Sequence, residues 1–132
     1  MPRQTTFERN GKKFDLKYIE TQIVKDGVVC DVYEFADDNS CDLGIVAVES
    51  GNKTPKQKIL LGDKTVEGYI SGRGVLEVTK PDGQSQKYAF PSSSNEIELN
   101  IDDIMQWSAE TDLVFYEICY PKYSDDRFQN LD

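Results

Sequence analysis

The sequence contains no histidine among its 132 residues. The neutral imidazole of histidine is the commonest metal ligand in proteins, and it is also the usual general base near neutral pH. Its absence excludes histidine metal centres and removes the base that usually activates a serine or cysteine nucleophile. Any chemistry in this chain must therefore rest on side chains other than imidazole.

Cysteine and long apolar runs are also scarce. The three cysteines, Cys30, Cys41 and Cys119, are an odd number at irregular spacing, which fits neither a disulfide framework nor a paired-cysteine zinc or redox motif. No segment approaches the roughly 18 apolar residues of a membrane span, and the first residues lack the apolar core of a signal peptide. These absences predict a soluble protein of a reducing compartment, the cytoplasm, with no membrane partner.

Basic charge is in short supply as well. The chain has 24 acidic and 15 basic residues, for a formal net charge of −9. Its one locally basic run, Lys53 to Lys58, is too short to follow a phosphate backbone and is typical of a solvated loop. We therefore predict that nucleic acid is not a partner.

Turn signals recur about every ten residues and predict an all-β domain. Asn10-Gly11, Asp26-Gly27 and Pro81-Asp-Gly83 are examples, and between such turns lie segments rich in β-branched and aromatic residues. Segments such as 74–79 and 95–101 alternate apolar with polar residues, as expected of strands with one buried face. No segment sustains a helical apolar stripe.

The length favours a single domain over residues 1–132. Residues 1–42 are predicted to supply leading strands at a sheet edge, and residues 43–120 the core. For residues 121–132 the sequence allows a short helix or an arm, with Phe128 and Leu131 as its anchors. Exposed edge strands are commonly covered by a second copy of the same chain, so we expect a homodimer.

One segment carries a family resemblance. Glu67-Gly-Tyr-Ile-Ser-Gly-Arg-Gly74 places a Gly-x-Gly turn between two predicted strands, and Gly51 lies where a preceding glycine is expected. In this arrangement the chain resembles a small single-domain cupin over roughly residues 43 to 120. The resemblance implies an all-β, jelly-roll-like barrel, the cupin double-stranded β-helix, with N-terminal edge strands.

The resemblance also bears on metal binding. The first cupin motif places two histidines on Gln57 and Ile59, and the second motif places a third on Gln106. The motif glutamate falls on Thr65 or on Glu67, depending on which glycine closes the motif. Amide oxygens are poor substitutes for imidazole on a transition metal. We therefore predict a metal-free barrel with no cofactor.

A cupin barrel without metal can still bind a small organic molecule in its mouth. We predict that the ligand is a small polar metabolite such as a sugar. Strand alternation places Glu67 and Tyr69 on one face, and it places Gln106 and Trp107 on opposite faces. The motif position favours Gln106 as the interior residue of that pair. The predicted ligand-binding residues are Gln57, Glu67, Tyr69, Gln106 and Tyr116.

Two alternatives remain open. Some cupins of this size are cofactor-free sugar or sugar-nucleotide isomerases or epimerases, and here the base would be Glu67, which needs a pKa raised by burial. The other alternative is a non-catalytic structural or interaction protein whose barrel is filled by side chains. Cys30 and Cys119 lie within apolar strands and are interpreted as small buried hydrophobic residues.

Overall fold

The computed structural model describes residues 4–60, 62, 64–92, 94–120 and 128–131. Within them the chain forms twelve β-strands and no helix, arranged in one seven-stranded and one five-stranded sheet. Every strand pair is antiparallel. The prediction of an all-β fold is therefore confirmed.

The larger sheet contains the first four strands and three later ones. In spatial order it consists of β1 (Thr6–Arg9), β2 (Lys12–Lys25), β3 (Val28–Phe35), β4 (Asp38–Val48), β11 (Leu113–Tyr120), β6 (Lys64–Ser71) and β9 (Glu96–Leu99). The smaller sheet consists of β12 (Phe128–Asn130), β5 (Gln57–Ile59), β10 (Ile104–Ala109), β7 (Gly74–Thr79) and β8 (Ser85–Phe90). After β4 the chain passes repeatedly between the two sheets, as in jelly rolls.

The predicted turns form because their residues tolerate positive φ. Asn10 and Gly11 join β1 to β2 with φ of 53° and 78°, which is the hairpin geometry that Asn-Gly favours. Gly72, in the turn from β6 to β7, has φ of 90°, and a Cβ there would lie 2.0 Å from the carbonyl oxygen of Asp112. Only glycine fits this position.

The main hydrophobic core lies between the two sheets. It brings inward-facing residues of both sheets together, and Trp107 at its centre is only 1% exposed. Its buried members are Val28, Val46, Val48, Ile59, Leu76, Val78, Phe90, Leu99, Met105, Trp107, Ala109, Leu113 and Phe115. Because successive side chains of a strand point to opposite faces, this core fixes which residues face the barrel interior.

A second hydrophobic cluster covers the outer face of the larger sheet. The hairpin of β1 and β2 packs there, and the ring of Phe7 meets the ring of Tyr116 edge to face at 4.9 Å between centroids. Tyr116 fits against the sheet because Gly68 on β6 has no side chain, and a Cβ there would lie 2.0 Å from the Tyr116 ring. The buried members of the cluster are Phe7, Tyr33, Cys41, Leu43, Val66, Tyr116 and Ile118.

The N-terminal strands lie at a sheet edge, as predicted. β1 is the outermost strand, but it pairs only with residues 12–15 of β2. Beyond Asp15, no described strand pairs with the edge of β2 along which β1 lies. Ile19 and Ile23 lie in this part of β2 and are 43% and 78% exposed. The homodimer expected from exposed edge strands stays a prediction.

The C-terminal segment contributes a strand. Phe128–Asn130 pair with β5, so the helix alternative is wrong for these residues, whose backbone groups hydrogen-bond to a neighbouring strand instead. Phe128 packs against the main core, whereas Leu131 is 42% exposed. Residues 121–127 and 132 lie outside the described residues. In the part of the chain that is described, no helix has the length and apolar character needed to cross a membrane.

Candidate functional site

A cavity of about 480 Å³ opens into the barrel between the two sheets. Its apolar wall comes largely from the main core, including Val28, Val46, Met105, Trp107 and Phe115. The exposed lining residues Gln22, Ile23, Val24 and Asn130 mark the mouth. At this mouth Gln57 Nε2 donates a hydrogen bond to Asn130 Oδ1 at 2.9 Å and so connects β5 to β12.

Two carboxyl groups lie side by side on the cavity wall. Glu67 on β6 and Glu117 on β11 occupy directly opposite positions of an antiparallel strand pair, and both line the cavity. Like charges in such positions repel each other. β11 also pairs with β4 along its other edge, and there the residue opposite Glu117 is Gly44. Gly44 has no side chain, and Cys30 Sγ occupies part of the space beside it, 3.0 Å from where a Cβ of Gly44 would be.

Glu67 is the most deeply buried charged residue described, with no exposed surface. Its Oε1 accepts a hydrogen bond from Trp107 Nε1 at 2.8 Å. Its Oε2 is buried, and no N–H, O–H or S–H group of the described residues donates a hydrogen bond to it. Glu117 can supply that hydrogen bond only if one of the two carboxyl groups is protonated, because two carboxylates both accept.

Protonation is what the surroundings of Glu67 favour. Burial, followed by the charge of Glu117 and a hydrogen bond with it, raises the pKa of Glu67 well above its usual range, while the hydrogen bond from Trp107 opposes the rise. A buried carboxyl beside a like charge is the arrangement in which one proton is shared by two acids. We therefore describe Glu67 and Glu117 as the carboxyl pair.

Two thiols also lie on the cavity wall. Burial, together with the charges of Glu117, Asp31, Glu67 and Asp42, raises the pKa of Cys30 to about 12. Cys119 Sγ donates to Glu117 Oε1 at 3.6 Å. The three cysteines are unbridged. A thiol with a raised pKa is a poor nucleophile near neutral pH, so Cys30 acts as a small, weakly polar wall residue.

The electrostatic character of the cavity is acidic. Asp42 on β4 lines it in addition to the carboxyl pair, and none of the described lining residues is a lysine or arginine. The remaining polar wall groups, such as Thr54 and Gln57, are neutral. The cavity therefore offers hydrogen-bond acceptors and negative charge to whatever enters it.

The structure brings only two of the five predicted site residues to this cavity, Gln57 and Glu67. Tyr69 faces the interior as Glu67 does, but it belongs to the packed core. Its ring stacks on Phe90 at 5.5 Å, and its hydroxyl donates to the Gly72 carbonyl oxygen at 2.7 Å. Its hydrogen-bonding group is therefore directed at the β6–β7 turn.

The interior position on β10 belongs to Trp107, so the expectation that Gln106 faces inward is wrong. Met105, Trp107 and Ala109 alternate inward as buried residues, which turns Gln106 to the other face of the sheet. There Gln106 Nε2 donates to the backbone oxygen of Thr54 at 2.9 Å. The reason is physical, since the large apolar ring gains more from burial than the amide does.

Tyr116 points away from the barrel interior and lies on a second, outer cavity of about 610 Å³. Its hydroxyl donates a hydrogen bond to Glu96. Arg9 from the N-terminal hairpin forms a two-pronged ion pair with Glu96, with N–O distances of 2.5 and 3.0 Å. Burial opposes ionisation of Glu96, but the hydrogen bonds from Arg9 and Tyr116 lower its pKa overall. These contacts fasten the hairpin to the sheet.

Glu117 is the site residue that the sequence interpretation missed. The signal was present, because Leu113, Phe115 and Cys119 share its strand face under strict alternation and all three are inward-facing. A carboxyl on the same face as three apolar residues in a predicted strand indicates an inward-facing acid.

The residues present do not fit a transition-metal centre of the kind found in many cupins. No imidazole exists in the chain, and among the described residues no three acidic or thiol side chains are arranged to hold a metal ion. Glu67 Oε1 is already engaged by Trp107. The donor set near Glu67 suits a proton or a hydrogen-bond donor better than a metal that requires several soft ligands.

No protein-family model matches the sequence, and no curated protein matches it either. Solved structures do match the fold. Staphylococcus aureus CapF, a capsular polysaccharide assembling protein, aligns with a TM-score of 0.69 at 10% identity, over 89% of this chain and 34% of its own. Bacillus subtilis oxalate decarboxylase OxdC aligns with a TM-score of 0.69 at 18% identity, over 83% of this chain and 29% of its own.

This chain thus spans about a third of the length of those two proteins. A smaller protein gives a fuller match. A variant of Streptomyces PAC13, solved with uridine, aligns with a TM-score of 0.60 at 14% identity, over 89% of this chain and 85% of its own. Together with the two-sheet topology, these likenesses confirm the fold that the Gly-x-Gly segment indicated: the chain has the cupin fold.

Proposed function

We propose that this cupin domain binds a small polar metabolite in its barrel interior without a metal. The observation that carries the proposal is the cavity of about 480 Å³, whose wall combines apolar core residues with the carboxyl pair. Small-molecule sites typically have this volume and this combination of a mostly apolar wall with a few convergent polar groups. The ligand-contacting residues we propose are Gln57, Glu67 and Glu117.

Two further observations support binding. Proteins with this fold have been solved with small organic molecules, among them PAC13 with uridine and Lactobacillus farciminis oxalate decarboxylase with formate. A barrel filled by side chains would leave no space of this size, so the cavity also argues against the purely structural alternative.

The test is to block the cavity. Gly44→Val adds an isopropyl group to the cavity wall beside Glu117, where Cys30 Sγ already lies 3.0 Å from the Cβ position, and we expect it to abolish retention of a copurifying small molecule. Ala47→Val is the matched control, because Ala47 lies on the same strand but is exposed on the opposite face. Native mass spectrometry of the intact protein, followed by mass spectrometry of the released small molecules, measures the outcome.

Gln106→Leu gives a second comparison within this experiment. If a metabolite is bound in the cavity, the variant retains it, because Gln106 faces the other side of the sheet. A wild-type protein that carries no small molecule and gains none from a cell extract would contradict the proposal. So would equal retention by Gly44→Val and Ala47→Val.

A second candidate function is proton transfer, as in a cofactor-free isomerase or epimerase, and the raised pKa of Glu67 favours it. A carboxyl that titrates closer to neutral pH is a better acid or base for such a reaction. This function predicts that the protein exchanges a carbon-bound hydrogen of its ligand for deuterium in heavy water. Glu67→Gln should lower the exchange rate by a factor of about 100 or more. Binding alone predicts no exchange in either protein.

A further inference from the structure

Resting on the proposed binding function, we propose that the ligand is a small organic amine whose protonated nitrogen binds between Glu67 and Glu117. The carboxyl pair would then recognise the charged end, and the apolar wall of the cavity would hold the body of the molecule. This assigns a chemical class to the ligand, which the fold alone does not.

The first argument is the hydrogen-bonding capacity of the pair. Among the described groups, Glu67 Oε2 on the cavity wall has no donor apart from the proton that it can share with Glu117, which lies directly opposite on the next strand. An ammonium group carries three donors and one positive charge. It can satisfy both carboxylates at once and remove the repulsion between them, whereas a hydroxyl group donates only once and leaves the charges uncompensated.

The second argument is the sign of the charge around the site. Asp42 adds a third carboxyl to the described lining, which contains no lysine or arginine. A phosphate or carboxylate ligand would enter against this charge and would find no cationic group to pair with. Anionic metabolites are therefore excluded, and a cation is favoured over a neutral molecule.

The third argument is the apolar part of the wall. Val28, Val46, Met105 and Phe115 line the same cavity as the carboxyl pair. A bare ammonium ion or a fully polar polyamine would leave this surface uncovered. An amine with a compact hydrocarbon or aromatic body would instead bury it, which adds a hydrophobic contribution to binding.

The test compares three molecules of nearly equal shape: phenethylamine, phenethyl alcohol and phenylacetate. We expect isothermal titration calorimetry on the wild-type protein at neutral pH to give a Kd for phenethylamine about tenfold or more below that for the alcohol, with no binding of phenylacetate. The advantage of the amine should disappear in Glu67→Gln and in Glu117→Gln. Glu98→Gln, which removes an exposed carboxyl of β9, should leave all three results unchanged.

Proton release gives a second readout. The amine enters with its own proton, so the carboxyl pair must give up the proton that it shares. The other groups that face this space are Cys30 on β3, Asp42 on β4, Cys119 on β11 and the indole of Trp107 on β10. Calorimetry in two buffers of different ionisation enthalpy should detect the released proton with phenethylamine but not with the alcohol, and Glu67→Gln should remove it.

The outcomes separate this inference from the proposed function. Equal affinity for the amine and the alcohol, or an amine affinity that both glutamine variants retain, would overturn the inference and leave metabolite binding intact. Failure of all three molecules to bind would also overturn it, and a copurifying neutral or anionic molecule would then still support the proposed function. A protein without a copurifying ligand that binds none of the three would contradict both.

Discussion

We expect Trp107→Ala to lower the free energy of unfolding by about 3–5 kcal/mol, the largest stability loss of any single substitution proposed for this domain. The side chain is 1% exposed, stacks on Phe115 with 4.4 Å between ring centroids and contacts Phe90 at 5.4 Å. Its removal leaves a cavity in the main core and withdraws the hydrogen bond that Trp107 Nε1 donates to Glu67 Oε1. Equilibrium unfolding in urea, monitored by circular dichroism, measures the change.

Gln106→Ala is the matched control for this substitution. The two residues are neighbours on β10 but face opposite sides of the sheet. Because Gln106 contributes one partly buried hydrogen bond, its replacement should cost about 1 kcal/mol. Similar losses in the two variants, or a larger loss for Gln106→Ala, would show that Trp107 is not the interior residue.

Glu67→Gln should change how stability depends on pH. A carboxyl whose folded pKa is raised binds its proton more tightly in the folded state than in the unfolded state. Its contribution to stability is therefore complete below the pKa of the unfolded chain, and it is lost as pH rises through the higher folded value. One pKa unit between the folded and the unfolded state corresponds to about 1.4 kcal/mol of unfolding free energy. Above the ordinary range of a glutamate, the wild-type protein should lose stability relative to the glutamine variant as pH rises.

The measurement is the difference in unfolding free energy between wild type and Glu67→Gln in a pH series, because groups common to both proteins cancel in it. Glu117 and the Trp107 indole act directly on Glu67, and Cys30, Asp42 and Cys119 line the same cavity. Glu98→Gln serves as the control, since Glu98 is an exposed carboxyl of the same sheet. A difference that does not vary with pH would show that the carboxyl pair does not hold the proton assigned to it.

The fold was largely predictable because its signals are local. Asn10-Gly11 encodes a hairpin turn through its tolerance of positive φ, and the Gly72 turn between two strands carried the resemblance to cupins. Alternating apolar residues marked the strands. The C-terminal strand Phe128–Asn130 was harder to predict because three residues are too few for a periodic signal, and they become a strand only by pairing with β5.

The candidate site was predictable only in part. Of the five predicted residues, Glu67 and Gln57 line the cavity, and their contact with a ligand stays a prediction. The family motif favours Gln106 over Trp107 as the interior residue, and that expectation is wrong. The pattern of Met105, Trp107 and Ala109 on one face would have reversed that choice. The same argument applied to Leu113, Phe115 and Cys119 would have placed Glu117 in the interior.

By itself, the sequence determined that this chain is a histidine-free all-β domain with the cupin fold, because turn residues and alternating strands act over a few neighbouring residues. Tertiary structure decided what the interior can bind. Glu67 and Glu117 are 50 positions apart in the sequence, and they meet only because β6 and β11 are neighbours in one sheet with a register that sets them opposite each other. Register between distant strands depends on the packing of the whole core, which no local pattern of residues specifies.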